Sequence, residues 1–173
     1  MLKKQLILET ALDLFSKYGY NTTSTARIAK TAGVSEGLIF KHFGNKNGLL
    51  EAILELGKEK GAKLFQEVQQ FSEPKEQLKA ILNIPLSIPK GDYAFWKLVY
   101  ALKWQAEEYD QSMYLQIKAY VVDIFTQLNY DNPELEAEFV LMLFDGIATS
   151  ILLKGIIQKK KLAQIIFDKY QLD

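Results

Sequence analysis

The sequence predicts an all-α chain: an N-terminal three-helix unit containing a helix-turn-helix, followed by a longer helical body. Three observations predict it. Apolar residues recur at helical spacing from end to end, and no long run alternates apolar and polar residues with the period of a strand. Residues suited to starting or stopping helices punctuate these segments, among them Gly19, Gly33, Pro74 and Pro133. Finally, 49% of 173 residues are apolar, enough to build a real core, so disorder and a collagen-like chain are excluded.

The elements follow in order. Ile7, Leu8, Ala11, Leu12, Phe15 and Tyr18 share one face of a first helix, and Gly19 stops it because glycine adopts the left-handed cap conformation cheaply. After a turn of Tyr20 to Thr23, Ser24 caps a short second helix that ends near Ala32, with Gly33 as the break. Ser35 caps a third helix running to Phe43, and Glu36 lies in its first turn, where the helix dipole favours an anion. Gly44-Asn45 starts a long fourth helix, which Leu49, Leu50, Ile53, Leu64, Phe65 and Val68 carry towards Phe71.

Pro74 opens a fifth helix that Pro85 and Pro89 end, and Gly91-Asp92 prepares a sixth through Trp96, Tyr100 and Trp104. Two long helices follow. They cover about Tyr109 to Leu128 and Pro133 to Ile157, and a terminal helix spans about Lys161 to Tyr170. The expected domains are residues 1–48, a helix-turn-helix domain, and 49–173, a helical body, with the fourth helix crossing the boundary without a flexible linker.

Charge divides the chain in the same place. Twenty-one basic and 21 acidic residues give a net charge of zero, yet Met1 to Gly48 carries seven cations against three anions, a net +4 that leaves −4 for the rest. A basic head on an acidic body suggests a module for a polyanion joined to something else.

Cysteine is absent, which excludes disulfides, thiolate metal sites and a cysteine nucleophile. Met1-Leu2-Lys3-Lys4 opens no long apolar run with a cleavage site, so a secretory signal is not expected. The most apolar stretch, Val140 to Leu153, is interrupted by Asp145 and is shorter than the roughly 20 residues that span a bilayer. The expectation is a cytoplasmic protein with no membrane segment.

Thr25 to Phe43 carries the functional signal. Two short helices joined by a tight turn need a small residue at the crossing, a glycine in the turn and a branched apolar anchor on the second helix; Ala29, Gly33 and Ile39 sit at those places. Around them, Gly19-Tyr20-Asn21-Thr22-Thr23-Ser24, Ile28-Ala29-Lys30-Thr31-Ala32-Gly33-Val34-Ser35 and Gly37-Leu38-Ile39-Phe40-Lys41-His42-Phe43-Gly44-Asn45-Lys46 resemble the N-terminal signature of the TetR family of transcriptional repressors, the TetR/AcrR-type helix-turn-helix regulators. The resemblance covers about Leu8 to Leu50. Beyond it, only architecture, length and the Phe144-Asp145-Gly146 element are similar.

The resemblance implies a homodimer that places the third helix of each subunit in successive major grooves of a palindromic double-stranded operator. The remainder of each subunit would bind an effector and dimerise. The geometry is compatible, because a major groove admits one helix and half-sites roughly 34–36 Å apart require a symmetric pair of readers.

Lys41 is the leading candidate for base or phosphate contact, and Leu38 for a thymine methyl group. Phe40 stands where the family usually carries tyrosine, a departure that removes a hydroxyl contact to phosphate. His42 can donate to phosphate even when neutral, or it is a solvated surface residue. Thr23, Ser24 and Lys46 combine hydroxyls, free backbone N–H groups and a cation suited to clamping phosphate. Ser35 and Glu36, at the start of the third helix, complete the set, with capping an equally good reading of both serines. Arg27, the sole arginine, faces phosphate, a base edge or solvent, since the family often places its arginine one position earlier, where this chain has Ala26.

In the body, eight aromatic residues lie between Tyr93 and Tyr120, including both tryptophans. They are either plain core or the walls of a cavity for a small apolar or aromatic effector, with Trp96, Tyr100, Trp104, Tyr114, Ile117 and Phe144 as its expected lining and Gln105 or Gln116 orienting the ligand. The helices from Met113 and from Leu135 are apolar on more than one face, as a symmetric four-helix interface requires, with Gly146 and Ala148 permitting close approach. Gly57 and Gly61 inside the fourth helix each cost about 1 kcal/mol relative to alanine and call for either close packing or a compliant segment that transmits effector binding.

Catalysis is not expected. The one histidine lies in the DNA reader, no glycine-rich phosphate loop is present, Glu107, Glu108 and Asp110 lack a metal-ligating partner, and Glu134, Glu136 and Glu138 read as a solvated first turn favoured by the helix dipole rather than a metal site, so no metal or cofactor is expected either. The alternative reading is a protein of the same fold that binds a ligand or partner and has lost specific DNA binding.

Overall fold

The computed structural model describes residues 3–105, 112–155 and 158–172. Among them, all regular structure is helical: α1 (Lys3–Tyr18), α2 (Thr25–Ala32), α3 (Glu36–Phe43), α4 (Lys46–Gln69), α5 (Pro74–Ser87), α6 (Tyr93–Gln105), α7 (Ser112–Gln127), α8 (Pro133–Lys154) and α9 (Lys159–Tyr170), with a 3-10 turn at Lys90–Asp92 before α6. The all-α expectation is therefore correct. No helix among the described residues is long and apolar enough to cross a membrane.

The chain forms two compact units. The first comprises Met1–Ala62 with Lys90–Ala106, and the second Lys63–Pro89 with Glu107–Asp173. The division expected at Gly48 thus falls within α4, and α6 belongs with the N-terminal helices. The reason is packing that no local pattern reveals: Phe95 and Leu98 of α6 are buried in one cluster with Ile7, Leu8, Ala11, Phe15, Ile28, Ile39, Leu49 and Ile53. Gly57 of α4 lies against Phe95, where a Cβ would come within 1.9 Å of the ring. Close packing therefore accounts for Gly57, whereas Gly61 has nothing within 4 Å of the equivalent position.

In the second unit, α5 packs against α7, α8 and α9, and α7 against α8. Phe125 is its centre, with the rings of Tyr130 and Tyr170 at 4.9 and 5.9 Å. Tyr170 also meets Glu136 at 3.5 Å, and burial pushes its hydroxyl well above the ordinary tyrosine range. Pro85 does not end α5 as expected. It lies inside the helix, buried, and α5 continues to Ser87. Only two residues follow it, so the lost backbone hydrogen bond falls in the last turn, where burial of the ring offsets it.

Candidate nucleic-acid interface

The helix-turn-helix is built from short local bonds. Ser24 caps α2, its hydroxyl accepting the Arg27 amide at 3.2 Å. Gly33, with φ of +65°, closes the helix in the left-handed conformation that glycine adopts without a Cβ clash. The Val34 amide then donates to the Ala29 carbonyl at 3.0 Å, turning the chain into α3. Ile28, Ala29 and Ile39 fill the crossing and are at most 4% exposed. The small residue and the branched anchor expected there are in place.

A side-chain bond fixes the two helix starts to each other, the Thr25 hydroxyl donating to the Glu36 carboxylate. Glu36 is thereby engaged inside the motif. Ser35 occupies the N-cap position of α3 but makes no capping bond with its side chain. At the other end, Asn45 caps α4 by accepting the Gly48 amide at 2.9 Å. Gly48 itself is obligatory, because a Cβ there would lie 2.1 Å from the Phe43 carbonyl oxygen. The absent side chain thus lets the end of α3 approach the start of α4 closely.

With Ile39 buried, α3 presents Gly37, Phe40, Lys41 and His42 outward. Phe40 is 46% exposed, so an apolar ring stands on the outward face beside Lys41 and His42. Leu38 is half-buried against the core cluster, so only part of its side chain faces out.

Two further cations stand at helix starts, each against an aromatic ring. Arg27 stacks 3.8 Å from the centroid of the Tyr18 ring. Lys46 lies 4.2 Å from the Tyr20 ring and donates to the Asn21 carbonyl at 3.3 Å. Lys17, by contrast, pairs with Asp13 at 3.5 Å.

Thr23 departs from the phosphate-clamp expectation. It is completely buried, and its hydroxyl donates to the carbonyls of Gly19 at 2.9 Å and Leu14 at 3.4 Å. Its role is to tie the α1–α2 turn to the end of α1. The sequence reading does not single out Tyr18, Asn21 or Thr25 as site residues, and it places Asn45 at the start of the fourth helix without its capping bond. For Asn45 the signal was present, an asparagine three residues before Gly48 at a helix start; the stacking partners are not encoded by any local pattern.

The six expected effector-lining residues are distributed over both units. Trp96 packs against the N-terminal core cluster and meets Phe95 edge-on at 5.1 Å, as a core residue does. Tyr100 is half-buried in the same unit. In the second unit, Ile117 and Phe144 are half-buried and Tyr114 donates to Glu138 at 2.8 Å. The side chains of Trp104, Gln105 and Tyr109, with Glu107, Glu108, Asp110 and Ile157, lie outside the described residues. A groove of about 490 Å³ runs between the end of α4, α5 and α9, lined by Leu64, Val68, Phe71, Ile84 and Phe167 among others and by none of the five whose side chains are described. No group of three or more potential metal ligands occurs among the described residues.

Comparison with known proteins places this motif. Residues 7–53 match the family model for bacterial regulatory proteins of the tetR family. The family match covers this N-terminal stretch, under a third of the chain. The HTH-type transcriptional regulator AcrR of Shigella flexneri is 42% identical over 81 residues, which is 46% of this chain and 38% of that protein. The chain spans from under a fifth to about half of the length of the curated relatives it matches. Likeness of fold to solved structures extends over most of the chain. A TetR-like transcriptional regulator from Rhodococcus sp. RHA1 superimposes with a TM-score of 0.79 at 21% identity, over 95% of this chain and 91% of that one. AibR, solved with isovaleryl coenzyme A and operator DNA, superimposes with a TM-score of 0.74 at 20% identity over 95% of each chain. AcrR and the Rhodococcus protein are named as transcriptional regulators.

Proposed function

We propose that this protein is a cytoplasmic, sequence-specific transcriptional regulator, a ligand-responsive repressor that binds a palindromic operator as a homodimer. The observation that carries the reading is the outward face of α3, where Phe40, Lys41 and His42 are exposed on a helix whose other face is anchored by Ile39. An α-helix held this way fits a major groove, and cations at the starts of α2 and α4 suit the flanking phosphates. Lys41 and Leu38 would read bases. Arg27, Ser24 and Lys46, with His42, would hold the backbone.

Homodimerisation draws support from α8. Leu135, Phe139, Met142 and Leu153 are 70%, 44%, 65% and 73% exposed, and with Gly146 they recur at spacings of four, three, four and seven, close to one face of the helix. Gly146 has nothing within 4 Å of a notional Cβ, leaving room for a second backbone. Ala148, by contrast, is buried within its own unit. A bare apolar stripe of this kind is what a helix-to-helix interface covers.

An effector is supported by kinship in fold, since AibR was solved with both isovaleryl coenzyme A and operator DNA. For this chain the proposed ligand is a small apolar or aromatic molecule taken up by the helical body. The signal would travel along α4, which runs through the boundary between the two units at Ala62, one residue past the unconstrained Gly61. A coupling of about 1–3 kcal/mol between effector and operator would suffice for induction.

Fluorescence anisotropy tests the function, comparing the intergenic DNA beside the protein's own gene with a scrambled duplex at about 150 mM salt, where non-specific binding is weak. A saturable preference of about 10³-fold or more is expected. Equal, weak binding to every duplex offered would favour the interaction-module reading. Neutralising Lys41 and Lys46 separates the two, because an interaction module would keep its partner.

A further inference from the structure

The sole arginine and the first lysine of α4 are both held against tyrosine rings from the α1–α2 turn region, an arrangement the DNA-binding reading does not by itself require. We propose that Tyr18 and Tyr20 are positioning residues that pre-orient Arg27 and Lys46 for backbone phosphates, an inference that rests on the DNA-binding reading above.

The geometry carries the argument. Arg27 lies 3.8 Å from the Tyr18 centroid, and a guanidinium over a ring face uses its plane for the contact and leaves its edge N–H donors directed outward. Tyr18 is the last residue of α1 and Arg27 lies in the first turn of α2, so the stack ties the cation to the end of α1. Tyr18 is 50% exposed, which leaves the pair open to solvent on one side, where a phosphate could approach.

Lys46 repeats the arrangement at the start of α4. Its ammonium sits 4.2 Å from the Tyr20 ring and spends one donor on the Asn21 carbonyl at 3.3 Å. Two donors remain. Tyr20 is itself fixed, meeting the buried Phe15 ring edge-on at 5.2 Å, so the position of Lys46 is referred to the core of the domain.

Long cationic side chains lose rotamer freedom when they bind phosphate, and a ring that has already restricted them reduces that loss. In a chain with one arginine, such pre-orientation gives each cation a larger share of the affinity. A brace that merely stabilises the turn would show the same contacts, so the test must separate the two.

The probe is a 30-base-pair duplex of random sequence at about 50 mM salt, where phosphate contacts dominate and no operator need be known. Tyr18→Leu is expected to weaken binding about threefold or more, and Tyr18→Phe, which keeps the ring, to bind as the unaltered protein does. In an Arg27→Gln background, Tyr18→Leu should add no further loss. Tyr20→Leu, which keeps apolar packing on Phe15, should likewise lose affinity alone and not in a Lys46→Gln background. Melting curves establish that each variant is folded. The proposal is overturned if the leucine variants bind normally, or if their loss is the same with and without the cation, which marks a structural brace. Failure of the unaltered protein to bind any duplex would overturn the DNA-binding reading and this inference with it.

Discussion

A Cβ placed on Gly57 would lie 1.9 Å from Cζ of Phe95, and Phe95 is 4% exposed. The glycine therefore exists to admit the ring, and the ring in turn draws α6 into the N-terminal unit. Gly57→Ala should destabilise by about 1–3 kcal/mol through overpacking. Gly61→Ala, in open space on the same helix, should instead stabilise by about 0.5–1 kcal/mol. Urea denaturation of both variants checks the contrast; equal effects would mean that packing against Phe95 is not what Gly57 serves.

Phe40 leaves 46% of its surface exposed on the proposed reading helix, where the resemblance leads one to expect tyrosine. Phe40→Tyr should restore a phosphate hydrogen bond and tighten DNA binding by about 0.5–1.5 kcal/mol without shifting the melting temperature. Anisotropy titration and a melting curve on the same sample measure both.

Lys41 and Lys46 should differ in how they respond to salt. If Lys46 touches phosphate alone, Lys46→Gln flattens the dependence of log K on log salt by about 0.9 for each phosphate that is no longer neutralised. Lys41→Gln should in addition relax discrimination between the preferred duplex and single-base variants, each otherwise costing about 1–3 kcal/mol. Salt titrations over a panel of duplexes separate these outcomes.

The α8 stripe predicts the oligomeric state. Light scattering should give a mass of twice 19.8 kDa, and Met142→Glu, which places a charge in the middle of the stripe, should return it to 19.8 kDa. A mass near that of a single chain for the unaltered protein at micromolar concentration would contradict dimerisation.

Acid should loosen the pairing of α7 with α8. Hydrogen bonds from Lys118, at 2.6 Å, and from Tyr114, at 2.8 Å, hold the Glu138 carboxyl below its ordinary value. A depressed carboxyl stabilises the fold fully above its unfolded value and loses that contribution as pH falls through its folded value. The melting-temperature advantage of the unaltered protein over Glu138→Gln should therefore be constant above about pH 5 and close on further acidification. An advantage that persists unchanged into acid would place the role of Glu138 elsewhere.

Much of this was legible in the sequence because it is local. Periodicity, Ser24, Gly19 and Gly33 each act within a turn or two of themselves, so helix limits and the helix-turn-helix could be read directly. Thr23 was misread because its buried hydroxyl bonds to Leu14 and Gly19, an environment created only when α1 folds back on the turn. Phe95 was read as part of an aromatic body, whereas it joins the core of Ile7 and Ile53, more than forty residues away along the chain. The stacks of Arg27 and Lys46 escaped for the same reason: a tyrosine nine or twenty-six residues distant carries no periodic signal.

The most direct test of the central claim is selection of bound duplexes from a randomised DNA library by the purified protein. The account predicts enrichment of an inverted repeat whose half-sites are centred about 10 base pairs apart, or a multiple of that, the spacing of two α3 helices in successive major grooves. Recovery of sequences indistinguishable from the input library, by a protein shown to be folded, would contradict it.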